Sequence, residues 1–164
     1  MPEHFNPTAS YVKYFTIPSE MEGKRVFVSF QGAESGLAVW LNGQYIGYSE
    51  DSFTPSEFEL TEYLIPGENK LAAQVFKWTS ASWCEDQDFF RFSGIFRDVY
   101  LFTKPRVHVE DLWIKTPLSS DFRQATLVVD MKVSGSGKVA MKLTRNGKVH
   151  AEAKGNLHAN SHFE

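Results

Sequence analysis

Two Asn-Gly dipeptides constrain this chain more than any other feature. Asn42-Gly43 separates the apolar run 37–41 from 44–48, and Asn146-Gly147 separates 138–143 from 148–153. A type I′ turn needs positive φ at both central positions, which Asn and Gly tolerate, so each dipeptide predicts an antiparallel hairpin. Further short runs alternate in the same way. Residues 11–17 do so up to Pro18, and 25–30 (RVFVSF) put Val26, Val28 and Phe30 on one face and Phe27 and Ser29 on the other. Strands are also predicted over 70–78, 98–103, 108–115 and 125–133. Residues 58–64 suit a short turn or helix, Pro66-Gly67-Glu68-Asn69 a turn, and Ser134-Gly135-Ser136-Gly137 a flexible one. The final stretch 155–164 is polar and looks unfinished.

Helical periodicity is nearly absent, and many short strands at this spacing favour a β-sandwich over an α/β fold. Fourteen Phe, six Tyr and four Trp among 164 residues suit half-buried pleated surfaces. Lys104-Pro105 breaks the strand pattern and marks a junction, because proline is excluded from central strands. The expected organisation is one domain over 1–105 and a second over 106–164.

Charge and cysteine content exclude several functions. The net charge is −3, with no basic stripe for a nucleic acid to bind. Cys84 is the single cysteine, so neither an internal disulfide nor a multi-cysteine metal centre is available. No apolar run approaches the roughly 20 residues that span a bilayer. Residues 1–10 are polar and contain prolines, unlike a signal peptide. The expected compartment is the cytoplasm, with a periplasmic location also compatible.

The densest chemistry lies in 83–98, WCEDQDFFRFSGIFRD. Glu85, Asp86 and Asp88 precede Phe89, Phe90, Phe92 and Phe96, with Arg91 and Arg97 among them. One reading is structural, the two arginines pairing with carboxylates at a domain junction. The other is a sugar site, in which carboxylates accept hydroxyl hydrogen bonds and aromatic faces cover the ring. The three acids are too close in sequence to flank a glycosidic bond as a catalytic pair about 5–10 Å apart. Trp83 is either an exposed platform for a sugar or a core or junction residue. Cys84, lacking a His or CxxC partner, reads as a buried or inert thiol. His158 and His162 have the spacing of two helical metal ligands, but Asn160 and Ser161 give no helical support and no third ligand is evident. Neither a phosphate-binding glycine loop nor a GxSxG elbow is present.

The ordered set NG, GYSEDS, PSEF, PGEN, EDQD, SGIFRDV and KP, within 40–105, resembles glycoside hydrolase family 2 and, within it, the large bacterial β-galactosidases. The resemblance runs from about Asn6 through Pro105 and continues more weakly to the end. It implies an all-β chain: part of a jelly-roll (galactose-binding-like) sugar-binding sandwich, then an incomplete immunoglobulin-like sandwich. The family's catalytic glutamates lie in a downstream TIM barrel, so no residue here is assigned a catalytic role and the chain alone should be inactive. By the same resemblance Asp88, the last acid of EDQD, contacts galactose hydroxyls and helps hold a monovalent cation, usually sodium, shared with the barrel. Magnesium ligands of the parent would lie mainly in the barrel. Glu85, Asp86, Arg91 and Arg97 would be scaffold that aims the loop. A parent acting on β-galactosides, as a homo-oligomer, is implied; no nucleic-acid or membrane partner is expected. A partial jelly roll would leave strand edges unpaired, so self-association or marginal stability is expected. Two other functions remain open: a free-standing carbohydrate-binding module, and a structural or interaction sandwich.

Overall fold

The computed structural model describes residues 5–85, 87–158 and 160–163, the last four by backbone alone. It is all-β and divides into two compact units, Met1–Lys104 and Pro105–Glu164.

In the first unit the described residues form β1 (Thr8–Thr16), β2 (Arg25–Phe30), β3 (Ala33–Glu34), β4 (Gly36–Leu41), β5 (Gln44–Ser49), β6 (Ser56–Glu59), β7 (Glu68–Phe76), β8 (Gly94–Ile95) and β9 (Val99–Lys104). One sheet has the order β1-β7-β4-β5, a second β6-β2-β9, and the short pair β3-β8 stands beside them. All pairings are antiparallel.

The two larger sheets face each other over one core. Leu71, Ala73 and Val75 point inward from β7 while Lys70, Ala72 and Gln74 alternate outward, as a half-buried strand requires. Leu37, Val39 and Leu41 from β4 meet Val28 and Phe30 from β2, with Leu60 fully buried between. The predicted β4–β5 hairpin forms as expected, with φ of 53° at Asn42 and 83° at Gly43.

β2 differs from its predicted pattern, because both of its faces are covered. Ser29 and Phe27 are as buried as the Val26 face. Phe27 stacks on Phe102 at 5.4 Å, with Lys104 Nζ 4.8 Å from its ring centre, and Gln31 Nε2 donates to Ser29 Oγ at 2.7 Å. The central position of β2 in its sheet supplies neighbours that hydropathy along the strand does not reveal.

The second unit contains β10 (Val109–Lys115), β11 (Val128–Val133), β12 (Gly137–Arg145), β13 (Lys148–Leu157) and β14 (Asn160–Phe163). β10, β11 and β14 form one sheet, and β12 pairs with β13 through the second Asn-Gly turn. Val129, Met131, Val133 and Leu157 make its small core. The stretch 155–164 is not elementless: it completes β13 and supplies β14, which pairs with β11. Its polar sequence concealed the strand because the pairing partner lies some thirty residues upstream.

Candidate functional site

The acidic and aromatic stretch begins in a five-residue helix, α1 (Ala81–Glu85), and runs through a bend at 87–89 into β8. The α1 start is fixed from outside its own sequence. Glu50 Oε2 accepts from Ser80 Oγ at 2.7 Å and from the Ala81 N–H at 3.0 Å. Chiefly through the Ser80 hydrogen bond, the Glu50 carboxyl is held below its ordinary pKa. Tyr48 Oη donates to the other Glu50 oxygen at 2.9 Å; desolvation, reinforced by that carboxylate, pushes the phenol up to about 12.

Glu85 closes the helix onto a neighbouring loop. Its two oxygens accept from the Ser52 N–H at 2.8 Å and from Ser52 Oγ at 2.6 Å, and Ser52 is fully buried. That loop is itself braced by Asp51, which accepts from Thr54 Oγ1 and from the N–H groups of Phe53 and Thr54. The Thr54 hydroxyl is the main reason the Asp51 carboxyl sits below its usual pKa.

Beyond α1 the chain carries a cluster of aromatic rings. Phe89 meets Phe53 edge-on at 5.1 Å, and Phe92 stacks on Phe96 at 4.9 Å. The Arg91 guanidinium lies over the Trp78 ring at 4.7 Å. Among the described residues Arg97 pairs with no carboxylate, unlike in the structural reading of the motif. Its Nη1 donates to the backbone carbonyls of Phe53 at 2.8 Å and Gln31 at 3.2 Å, while the guanidinium covers the Phe96 ring. The 96–98 segment runs against the 31–32 backbone, which brings the Gln31 carbonyl within reach of the guanidinium. Gly94, at φ 74°, lets the chain turn into β8; a Cβ there would collide with Tyr11 Oη.

Asp88 is exposed in the bend, and among the described residues no hydrogen bond or ion pair holds its carboxylate. It is flanked by exposed rings, Phe89 at 56 % and Phe90 at 78 %. Trp83 is also exposed, at 69 %, which removes the core reading for it. Cys84 is exposed too, which removes the buried alternative for its thiol and leaves the inert one, because α1 is a surface turn with no buried side chain. Asp86 lies outside the described residues. His158 follows β13 and His162 falls in β14, whose side chains are not described, so the chain around the pair is extended rather than helical. Among the described residues no three His, Cys, Asp or Glu side chains converge on a metal position.

Sequence reasoning missed two residues of this site, Glu50 and Glu34. Glu34 sits in β3 opposite Gly94 of β8, only 9 % exposed, and burial raises its carboxyl pKa above the ordinary value. Neither residue had a local signal, since each acts on a segment more than thirty residues away.

A family model described as "Glycosyl hydrolases family 2, sugar binding domain" matches residues 1–105. A β-galactosidase of Clostridium acetobutylicum is 54 % identical over 138 residues, 84 % of this chain and 15 % of that protein. One of Streptococcus thermophilus is 51 % identical over 135 residues, 82 % of this chain and 13 % of that protein. The β-galactosidase large subunit of Latilactobacillus sakei is 51 % identical over 133 residues, 81 % of this chain and 21 % of that subunit. The chain thus spans about a fifth or less of these relatives' lengths. Among solved structures, Bacteroides uniformis β-glucuronidase superposes with a TM-score of 0.77 at 24 % identity, covering 97 % of this chain and 21 % of that one; this supports the fold alone.

Proposed function

Because the chain belongs to glycosyl hydrolase family 2, with the sugar-binding domain over residues 1–105, we propose that it is a non-catalytic portion of a β-galactosidase that presents Asp88 to the sugar. Identity above 50 % to β-galactosidases over four-fifths of the chain favours that branch of the family. The observation that carries the role of Asp88 is its setting. The loop is anchored at both sides, by Glu85 on Ser52 and by Arg97 on two carbonyls, while the Asp88 carboxylate is left exposed. A held backbone with an uncommitted carboxylate suits a group that accepts hydrogen bonds from hydroxyls supplied by another body.

The same carboxylate fits one position of a monovalent cation site, since a hard oxygen anion suits sodium. Its other ligands would come from outside this chain, as no metal cluster forms among the described residues. The hydrolysis itself requires an acid/base and a nucleophile in a separate domain. Here the described carboxylates of the motif are either committed to the scaffold, as Glu85 is, or alone, as Asp88 is.

The second reading, a free-standing carbohydrate-binding module, is favoured by one feature, the exposed indole of Trp83. Galactose titration of this chain with sodium present, followed by NMR, separates the two. No detectable binding is expected, because a single contact residue cannot offset the entropy lost on association. Millimolar binding that disappears in Asp88→Ala would make the chain a module.

A further inference from the structure

Behind the aromatic loop lies a cavity of about 10 Å³ lined by Glu34, Phe53, Ser82, Glu85, Phe90 and Arg91. Its walls come from β3, from α1 and from the loop that carries Asp88. Glu34 is nine-tenths buried, and its Oε2 has no hydrogen-bond partner among the described residues. A buried carboxylate oxygen with no donor is costly, and such groups in folded proteins are satisfied by a side chain or by ordered water.

We propose that this cavity is a binding site for a single structural water, which ties Glu34 to the Asp88-bearing loop. The volume matches the one probe sphere that a water needs and is far too small for a sugar ring. The lining offers complementary partners. The water would donate to Glu34 Oε2 and to the Glu85 carboxylate, whose lone pairs exceed the two bonds it accepts from Ser52, and would accept from Arg91. Phe53 and Phe90 line its apolar side. A cation is disfavoured, because Arg91 lines the cavity and Lys77 also acts on Glu34, so positive charge is already present.

This site is independent of the sugar reading, because it concerns only how the loop is held. The test is a high-resolution crystal structure of this chain, with water-to-protein ROE measurements in solution, on the wild type, Glu34→Gln and Glu34→Leu. One ordered water is expected about 2.6–3.2 Å from Glu34 Oε2, Glu85 and Arg91. It is retained in Glu34→Gln, whose amide still hydrogen-bonds, and expelled in Glu34→Leu. A direct Glu34–Arg91 pair filling the space would overturn the inference. So would shorter, sodium-dependent contacts at the same position, or a water that persists unchanged in Glu34→Leu.

Discussion

Each oxygen of the Glu85 carboxylate accepts a hydrogen bond from Ser52, so Glu85 holds the neighbouring loop in place. Replacing it with Ala leaves a fully buried hydroxyl and N–H without an acceptor. Glu85→Ala is therefore expected to cost about 2–3 kcal/mol, read from urea denaturation. Glu34 behaves in the opposite sense. Desolvation raises its folded-state pKa above 4.5, so the folded chain holds that proton more tightly than the unfolded chain does. Stability is then fullest below the unfolded pKa and declines as pH rises through the folded one. Glu34→Gln should accordingly raise the urea midpoint more at pH 7 than at pH 4; an equal shift at both would contradict this assignment. The role of Glu34 was illegible in the sequence, where it stands in an ordinary-looking Gly-Ala-Glu-Ser segment. Asp88 was legible only through the motif around it, since nothing in its spacing separates it from Glu85.

At the scale of elements, turn chemistry was the most readable signal. Both Asn-Gly dipeptides adopt the positive φ values that their hairpins need. The turn before β7 is held by Asn69, which is fully buried; it accepts from the Ile65 N–H and donates to the Ile65 and Gly67 carbonyls. Asn42 also donates to Asn69 Oδ1 at 2.8 Å, which joins this turn to the β4–β5 hairpin. Asn69→Ala should destabilise the first unit by about 2–3 kcal/mol and speed hydrogen exchange at Ile65 and Asn42, because several buried partners lose their bonds together. α1 and β14 were not readable, for a shared reason. The donors and acceptors that complete them come from Glu50 and from β11, far away in sequence, and local periodicity carries no trace of such partners.

Across the described residues, exposed large apolar side chains occur in both units, Leu112, Trp113 and Ile114 of β10 among them. Trp83, Phe89, Phe90 and Phe92 are all exposed in the first unit, and β1 adds Val12 and Tyr14 at a sheet edge. Contiguous exposed rings and an unpaired strand edge recruit other chains. Sedimentation of this chain should show concentration-dependent association, reduced in a Trp83→Ser/Phe90→Ser variant. The fold class followed from alternation, whereas the clustering of these rings depends on a chain reversal that only the structure supplies.

If Asp88 completes a sugar site in a larger β-galactosidase, as proposed, grafting this domain into such an enzyme reveals it. Residues 1–105 would replace the matching segment of the Clostridium acetobutylicum β-galactosidase, and kcat/KM for a β-galactoside would be compared between the graft and its Asp88→Ala variant. The graft is expected to be active, and Asp88→Ala to lower kcat/KM about 10- to 100-fold, the loss of a charge-assisted hydrogen bond in the site. An active graft whose kcat/KM is unchanged by Asp88→Ala would contradict the account and leave the loop as scaffold alone.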